Sequence, residues 1–211
     1  MSVVSFKTIS VNSTSEIVIE KSKFIANLMR VKSEEEALSF FSQLKKKYWD
    51  ATHNCSAFIL VSGSMRSSDD GEPSGTAGKP ILECLKKNEM YDVAVVITRY
   101  FGGIKLGSGG LIRAYTAATL NGIKYSGIVE NVFHKSFVLN VGYPLWDKVE
   151  GYLKSQNVKY EKPLYSEEVS VKFFTKEEDG FVEGVINLCN GNLKMKEIEG
   201  EFIEVLLLQP I

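Results

Sequence analysis

Thr98-Arg-Tyr-Phe-Gly-Gly-Ile-Lys-Leu-Gly-Ser-Gly-Gly-Leu-Ile-Arg-Ala-Tyr115 reads as the end of a strand, a glycine-rich turn and the start of a helix. Such a junction leaves first-turn amides unpaired, and the helix dipole there favours an anion. Gly102, Gly103, Gly107, Gly109 and Gly110 would let backbone approach a ligand without a Cβ in the way. Arg99, Lys105 and Arg113 place three cations around the turn. A phosphate or carboxylate is the ligand class this chemistry suits. The spacing is not that of the standard phosphate loops. Gly102 plus five is Gly107 followed by Ser108, so there is no GxxxxGK[ST]; Gly107-x-Gly109 reaches Ile112 where a Rossmann third glycine would stand. The same glycines would equally serve tight turns and close helix–strand packing, and both readings stay open.

A second polar stretch precedes it, Ser68-Asp-Asp-Gly-Glu-Pro-Ser-Gly-Thr-Ala-Gly-Lys-Pro80. Asp69, Asp70 and Glu72 put three carboxylates within four residues. They could hold Mg²⁺, which takes one or two carboxylates plus phosphate oxygens, or they could pair with Arg99, Lys105 or Arg113. Ser74 and Thr76 could donate to an oxyanion, or to turn carbonyls, and Lys79 adds a cation. His53 and Cys55 share a strand face, which allows a Cys–His pair, yet no third group orients them. A packed histidine and a buried thiol are the simpler reading. With two histidines, three scattered cysteines and no HxxxH or CxxC, no transition-metal site is expected. No GxSxG elbow supports a hydrolase, so no catalytic residue is assigned.

Working outward from the two loops, Val93–Arg99 is a buried-type strand and Leu111–Leu120 a helix stopping at Asn121-Gly122. Upstream, Phe6–Val11 and Ile17–Val31 read as strands, with a hairpin turn near Asn12–Ser15. Ser33-x-x-Glu36 is a capping box for a helix with Ala37, Phe40, Phe41, Leu44 and Tyr48 on one face. Cys55–Val61 is a strand, Ser62–Pro80 a loop and Ile81–Lys87 a short helix. Downstream, a strand over Ser136–Val141, a helix from Pro144, strands over Val158–Tyr160 and Glu168–Phe174, a helix capped by Thr175-x-x-Glu178 and a final strand within Leu193–Leu208 give βαββαβ. That order is the ferredoxin-like split βαβ arrangement. The fold class is α+β with two domains, 1–130 and 131–211, joined near residues 128–135.

The 211 residues carry a net charge of −1, too balanced for a protein that blankets nucleic acid or anionic lipid. The balance conceals a net +3 over residues 1–130 and −4 over 131–211, and 8 of the 17 glycines fall between Gly71 and Gly110. Any binding to a polyanion should therefore be local, through a few cations on two loops. The opening residues lack a basic then apolar leader, and the longest apolar runs are strand length. A cytoplasmic chain with no membrane partner and reduced thiols is expected.

Ser22-Lys-Phe-Ile-Ala26, Ala51-Thr-His-Asn-Cys-Ser-Ala57 and the two long loop motifs together resemble the YigZ/IMPACT family, and the likeness to its bacterial branch runs along the whole chain. The resemblance implies an N-terminal domain like the second domain of a small-subunit ribosomal protein. It also implies a ferredoxin-like C-terminal domain similar to the last domain of elongation factor G. Eukaryotic relatives restrain a starvation-responsive kinase of translation initiation by competing for its activator; they carry an additional N-terminal partner-binding domain not expected here, so that role is not expected either. The expected function is a translation-linked factor binding RNA, the ribosome or a translation factor through the N-terminal domain. Tyr100 and Phe101 would stack on bases and the Lys45-Lys46-Lys47 run would meet phosphate. No DNA specificity is implied. Two alternatives are an enzyme or sensor for a small phosphorylated ligand or nucleotide with Mg²⁺, and a protein-interaction module.

Overall fold

The computed structural model describes residues 5–176 and 180–207 of the chain. Its contacts divide into two compact units. The first comprises residues 1–131 together with the chain from Glu204, and the second Val132–Ile203. Five helices and two sheets make an α+β fold among the described residues. No described helix is long and apolar enough to cross a membrane.

The first unit is built on five antiparallel strands in the order β2 (Ser13–Ile19), β3 (Ser22–Arg30), β6 (Val93–Tyr100), β4 (His53–Ile59) and β5 (Met65–Ser68). β6 is central. Ala94 and Val96 pack with Phe58, Ala37, Phe40 and Leu44 under helix α1 (Glu34–Lys47). Val93, Val95 and Ile97 pack with Phe24, Cys55, Ile81 and Tyr115 under α2 (Gly78–Lys87) and α3 (Gly107–Ser126). Burial on both faces explains why β6 reads as one apolar run rather than an alternation. Ser33 caps α1 through the amide of Glu36, at 3.3 Å, while the Glu36 carboxylate accepts the Lys32 amide at 2.8 Å. That is a capping box displaced by one residue.

Three expected boundaries move, and the expected junction takes a different form. The hairpin turns at Glu20-Lys21, both with positive φ, and not near Asn12–Ser15; β1 (Ser5–Ile9) does not join β2, and the amides of Ser10 and Val11 instead donate to the carbonyls of Gly127 and Ser126. Within the expected loop 62–80 the chain forms β5 and begins α2 at Gly78. α3 does not stop at Asn121-Gly122 but runs on to Ser126. The expected junction at 128–135 lies inside a continuous strand, β7 (Ile128–Val141).

The second unit contains most of β7, then α4 (Tyr143–Ser155), β8 (Lys159–Tyr160), β9 (Leu164–Tyr165), β10 (Val169–Thr175), α5 (Gly180–Leu188) and most of β11 (Lys194–Leu206). β10 pairs antiparallel with β7 on one side and with β8 and β9 on the other, and β11 pairs with β7. Its core joins Leu139, Val149, Leu153, Val171, Phe173 and Val185. Glu178 of the expected cap lies outside the described residues.

Gly122 explains why α3 continues where a stop was expected. A Cβ there would come within 2.4 Å of Leu28 Cδ1, so the glycine is what lets the helix lie close on β3. Gly151 in α4 faces open space. Gly122→Ala should therefore destabilise by about 1–3 kcal/mol from overpacking. Gly151→Ala should stabilise by about 0.5–1 kcal/mol through helix propensity. Denaturant unfolding of the two variants checks the opposite signs.

Candidate functional site

The chain enters the acidic loop through a tight turn. The Glu72 amide donates to the Asp69 carbonyl at 2.9 Å, and Asp70 and Gly71 between them both have positive φ. That is the type I′ geometry an Asp-Gly pair favours. The turn aims the three carboxylates in three directions, and each meets internal donors.

Asp69 turns toward the start of α2, whose own N-cap residue, Ala77, has no capping side chain. Its Oδ1 accepts the amides of Ala77 (3.0 Å) and Gly78 (2.8 Å), and Oδ2 accepts that of Gly75 (2.8 Å). Burial alone would raise its pKa, but the three backbone donors outweigh it and hold the carboxyl below the ordinary range. The anion at this helix N-terminus is thus a side chain of the protein itself. Asp70 Oδ2 accepts the Asn54 amide and Oδ1 the Lys45 ammonium, both at 2.7 Å; its carbonyl lies 2.9 Å from His53 Nδ1.

Glu72 is the most deeply placed, 7% exposed. Its Oε1 accepts Arg99 Nη1 at 2.7 Å and the Tyr115 hydroxyl at 2.8 Å, and Oε2 lies 3.8 Å from His53 Nε2. Arg99 is therefore not an exposed cation beside the glycine turn. It is 5% exposed, with Nη2 on Ser22 Oγ at 3.3 Å and its guanidinium carbon 5.4 Å from the Phe24 ring centroid and 5.5 Å from that of Phe101. Nε is buried without a hydrogen-bond partner. Cys55 Sγ sits 2.9 Å from the Asp69 carbonyl and 3.3 Å from the Tyr115 hydroxyl. Burial drives its thiol pKa far up, the Tyr115 hydroxyl opposes this only partly, and the neighbouring carboxylates push it higher. A thiol so strongly protonated is no nucleophile. The Tyr115 phenol is raised by burial, by Cys55 and by Glu72.

Of the two readings open for the loop carboxylates, Mg²⁺ binding or pairing within the chain, the geometry shows the pairing. No group of three or more His, Cys, Asp or Glu among the described residues is placed to hold a metal. Thr76, 4% exposed, donates to the Pro73 carbonyl at 2.6 Å and so is a turn hydroxyl. Ser74 and Lys79 are exposed.

The glycine turn is the outward-facing part. Gly102 is bound to the fold: a Cβ there would meet the Lys21 carbonyl carbon at 2.0 Å, and its amide donates to Ser22 Oγ at 3.2 Å. Gly103 and Gly107 have positive φ, and a Cβ on Gly110 would press on Leu106 at 3.0 Å. Gly109 has neither reason. It sits in the first turn of α3 at ordinary φ, with only Arg113 Nη1, at 3.5 Å, near its missing Cβ. Leu106, the N-cap, offers no capping side chain. Lys105, Ser108, Gly109 and Arg113 are exposed, and among the described residues neither Lys105 nor Arg113 forms an ion pair. Phe101 is about half exposed. The Tyr100 hydroxyl is engaged with Asp50, at 2.9 Å.

The Impact N-terminal domain model matches residues 20–123, which include both loops. An IMPACT family member of Bacillus subtilis, YvyE, is 42% identical over 204 residues, spanning 95% of this chain and 94% of its own. The chain belongs to the IMPACT family. A second IMPACT family member, YigZ of Escherichia coli, is 42% identical over 46% of this chain and 50% of its own; the protein IMPACT homolog of Dictyostelium discoideum is 44% identical over 42% and 27%. A crystal structure of a hypothetical protein superposes at a TM-score of 0.59 and 27% identity, over 94% of this chain and 99% of that one.

Two stability predictions follow from the buried cluster. Glu72→Ala strands the Arg99 cation in the interior and should cost about 3–5 kcal/mol, measured by denaturant unfolding. Asp69→Asn should cost about 1–2 kcal/mol, as loss of a cap does. Because folding lowers the Asp69 pKa, its contribution is present above the ordinary aspartate range and is lost as pH falls through the lowered value. The difference between wild type and Asp69→Asn should therefore shrink in acid.

Proposed function

We propose that this protein is a translation-linked factor that binds RNA through the glycine turn and first helical turn of α3. The observation that carries the reading is the separation of charge in the first unit. The loop carboxylates are internally paired, whereas Lys105 and Arg113 stand exposed beside uncapped amides at a glycine, Gly109, that packing does not require. Helix N-terminal amides with adjacent cations suit a phosphate. Phe101 supplies a ring for base stacking, worth about 1–3 kcal/mol per base in single-stranded complexes. Next to the turn, α2 and α3 border a groove of about 410 Å³ lined by Lys79, Pro80, Ile112 and Thr116, with room for a base beside a cation.

The strand order β11-β7-β10 with β8 outermost supports reading the second unit as ferredoxin-like, the arrangement that resembles the last domain of elongation factor G. The first unit is read as the counterpart of the second domain of a small-subunit ribosomal protein. Two such units in one chain favour a ribosome- or RNA-bound role over the Mg²⁺-dependent enzyme, whose metal ligands are already occupied.

Fluorescence anisotropy with a labelled single-stranded RNA tests the proposal. Binding should be measurable at about 50 mM salt and weaken linearly in log–log form as salt rises. Lys105→Ala and Arg113→Ala should each lower that slope by about one. Absence of binding at low salt, or a slope unchanged in the double variant, contradicts it.

A further inference from the structure

We propose that the first unit carries a second binding site, independent of the RNA reading, for a small monoanionic organic acid with an apolar body. It lies between α1 and the β4–β5 margin of the sheet. α1 packs over β6 and β4, whereas all four residues of β5 are exposed, leaving an open cleft of about 350 Å³. That is near the lower end of the roughly 300–1,000 Å³ typical of small-molecule sites. It is the size for a metabolite rather than a dinucleotide.

Three observations set the ligand's chemistry. Leu38 and Phe41 of α1, with Val96 of β6, give the cleft an apolar wall. Ser56 on β4 also lines it, 6% exposed, yet its hydroxyl has no hydrogen-bond partner among the described residues. That hydroxyl is open to the cleft rather than sealed in the interior, so it is free to meet a polar ligand atom there. Arg66 on β5 is an exposed cation with no ion pair among the described residues.

The charges around the cleft decide the ligand's charge. Lys45 is held by Asp70 Oδ1 at 2.7 Å, and Asp70 Oδ2 is taken by the Asn54 amide. That pair cancels, and Arg66 leaves a net charge of +1 among the lining residues. A carboxylate can meet the Arg66 fork through two oxygens, with its hydrocarbon on Phe41 and a polar atom near Ser56. A polyphosphate would bring excess negative charge against Asp70.

Benzoate, phenylacetate and 3-methylbutanoate, titrated into the full chain with benzyl alcohol as the uncharged match, test the site through amide chemical shifts. At least one acid should give saturable shifts confined to residues 38–45, 54–56 and 66–68, and the alcohol should not. Arg66→Gln, at an exposed position, should weaken binding about tenfold or more, as loss of a charged hydrogen bond does. Lys105→Ala, at the other anion-binding surface, should leave it unchanged. The proposal is overturned if no acid saturates, if benzyl alcohol binds as well, or if Arg66→Gln leaves affinity unaltered.

Discussion

The ion pair between Glu72 and Arg99 ties together parts of the chain that local structure does not connect. Arg99 closes the central strand of the first sheet, Glu72 lies in the acidic loop, and the Tyr115 hydroxyl that shares Glu72 Oε1 comes from α3. Ser22 at the start of β3 completes the set by accepting from both Arg99 Nη2 and the Gly102 amide. A buried pair is not in itself a large source of stability, since desolvation offsets much of its attraction. Its consequence is positional: with either charge unmatched, the loop cannot stay against the sheet. The loop in turn delivers Asp69 to the start of α2, so one interaction governs where that helix begins.

This arrangement divides the charges of the first unit into two populations. Glu72, Arg99 and Asp69 are satisfied internally and cannot serve a ligand without unmaking the fold. Lys105, Arg113 and Arg66 have no ion pair among the described residues and face outward. The two proposed sites accordingly rest on cations, on the glycine turn and at the β5 margin. An acidic cluster that resembles a metal site in the sequence becomes a latch once its partners are in place. A small net charge on the whole chain is compatible with local anion recognition for the same reason.

Much of the fold is legible in the residues. The capping box at Ser33, the apolar run of β6 and the alternation of apolar and polar segments in the second half each specify an element. What misleads is punctuation whose cause is tertiary. Asn121-Gly122 resembles a helix stop, but Gly122 is there for Leu28. Glu20-Lys21 carries no turn signal, although it turns the hairpin. Met65–Ser68 has no apolar pattern because both faces of that strand are exposed. Of the site, Lys105 and Arg113 lie exposed at the glycine turn, whereas Arg99, read as a third cation there, is buried against Glu72. The roles of Asp69 and Glu72 were not legible, because Asp69 caps amides six to nine residues onward and Glu72 meets a strand and a helix distant in sequence. Two signals were available: Asp70-Gly71 is a type I′ dipeptide, and an arginine ending so apolar a strand needs a buried counter-charge.

A double-mutant cycle on Glu72 and Arg99 tests most directly whether their pairing holds the loop against the sheet. Glu72→Gln, Arg99→Met and the double variant are compared by denaturant unfolding. Residues joined in one network should show a coupling free energy of about 1–3 kcal/mol, with the double variant less damaged than the sum of the singles. Single effects that add to within about 0.5 kcal/mol would show that the two side chains act independently. That result would contradict the account.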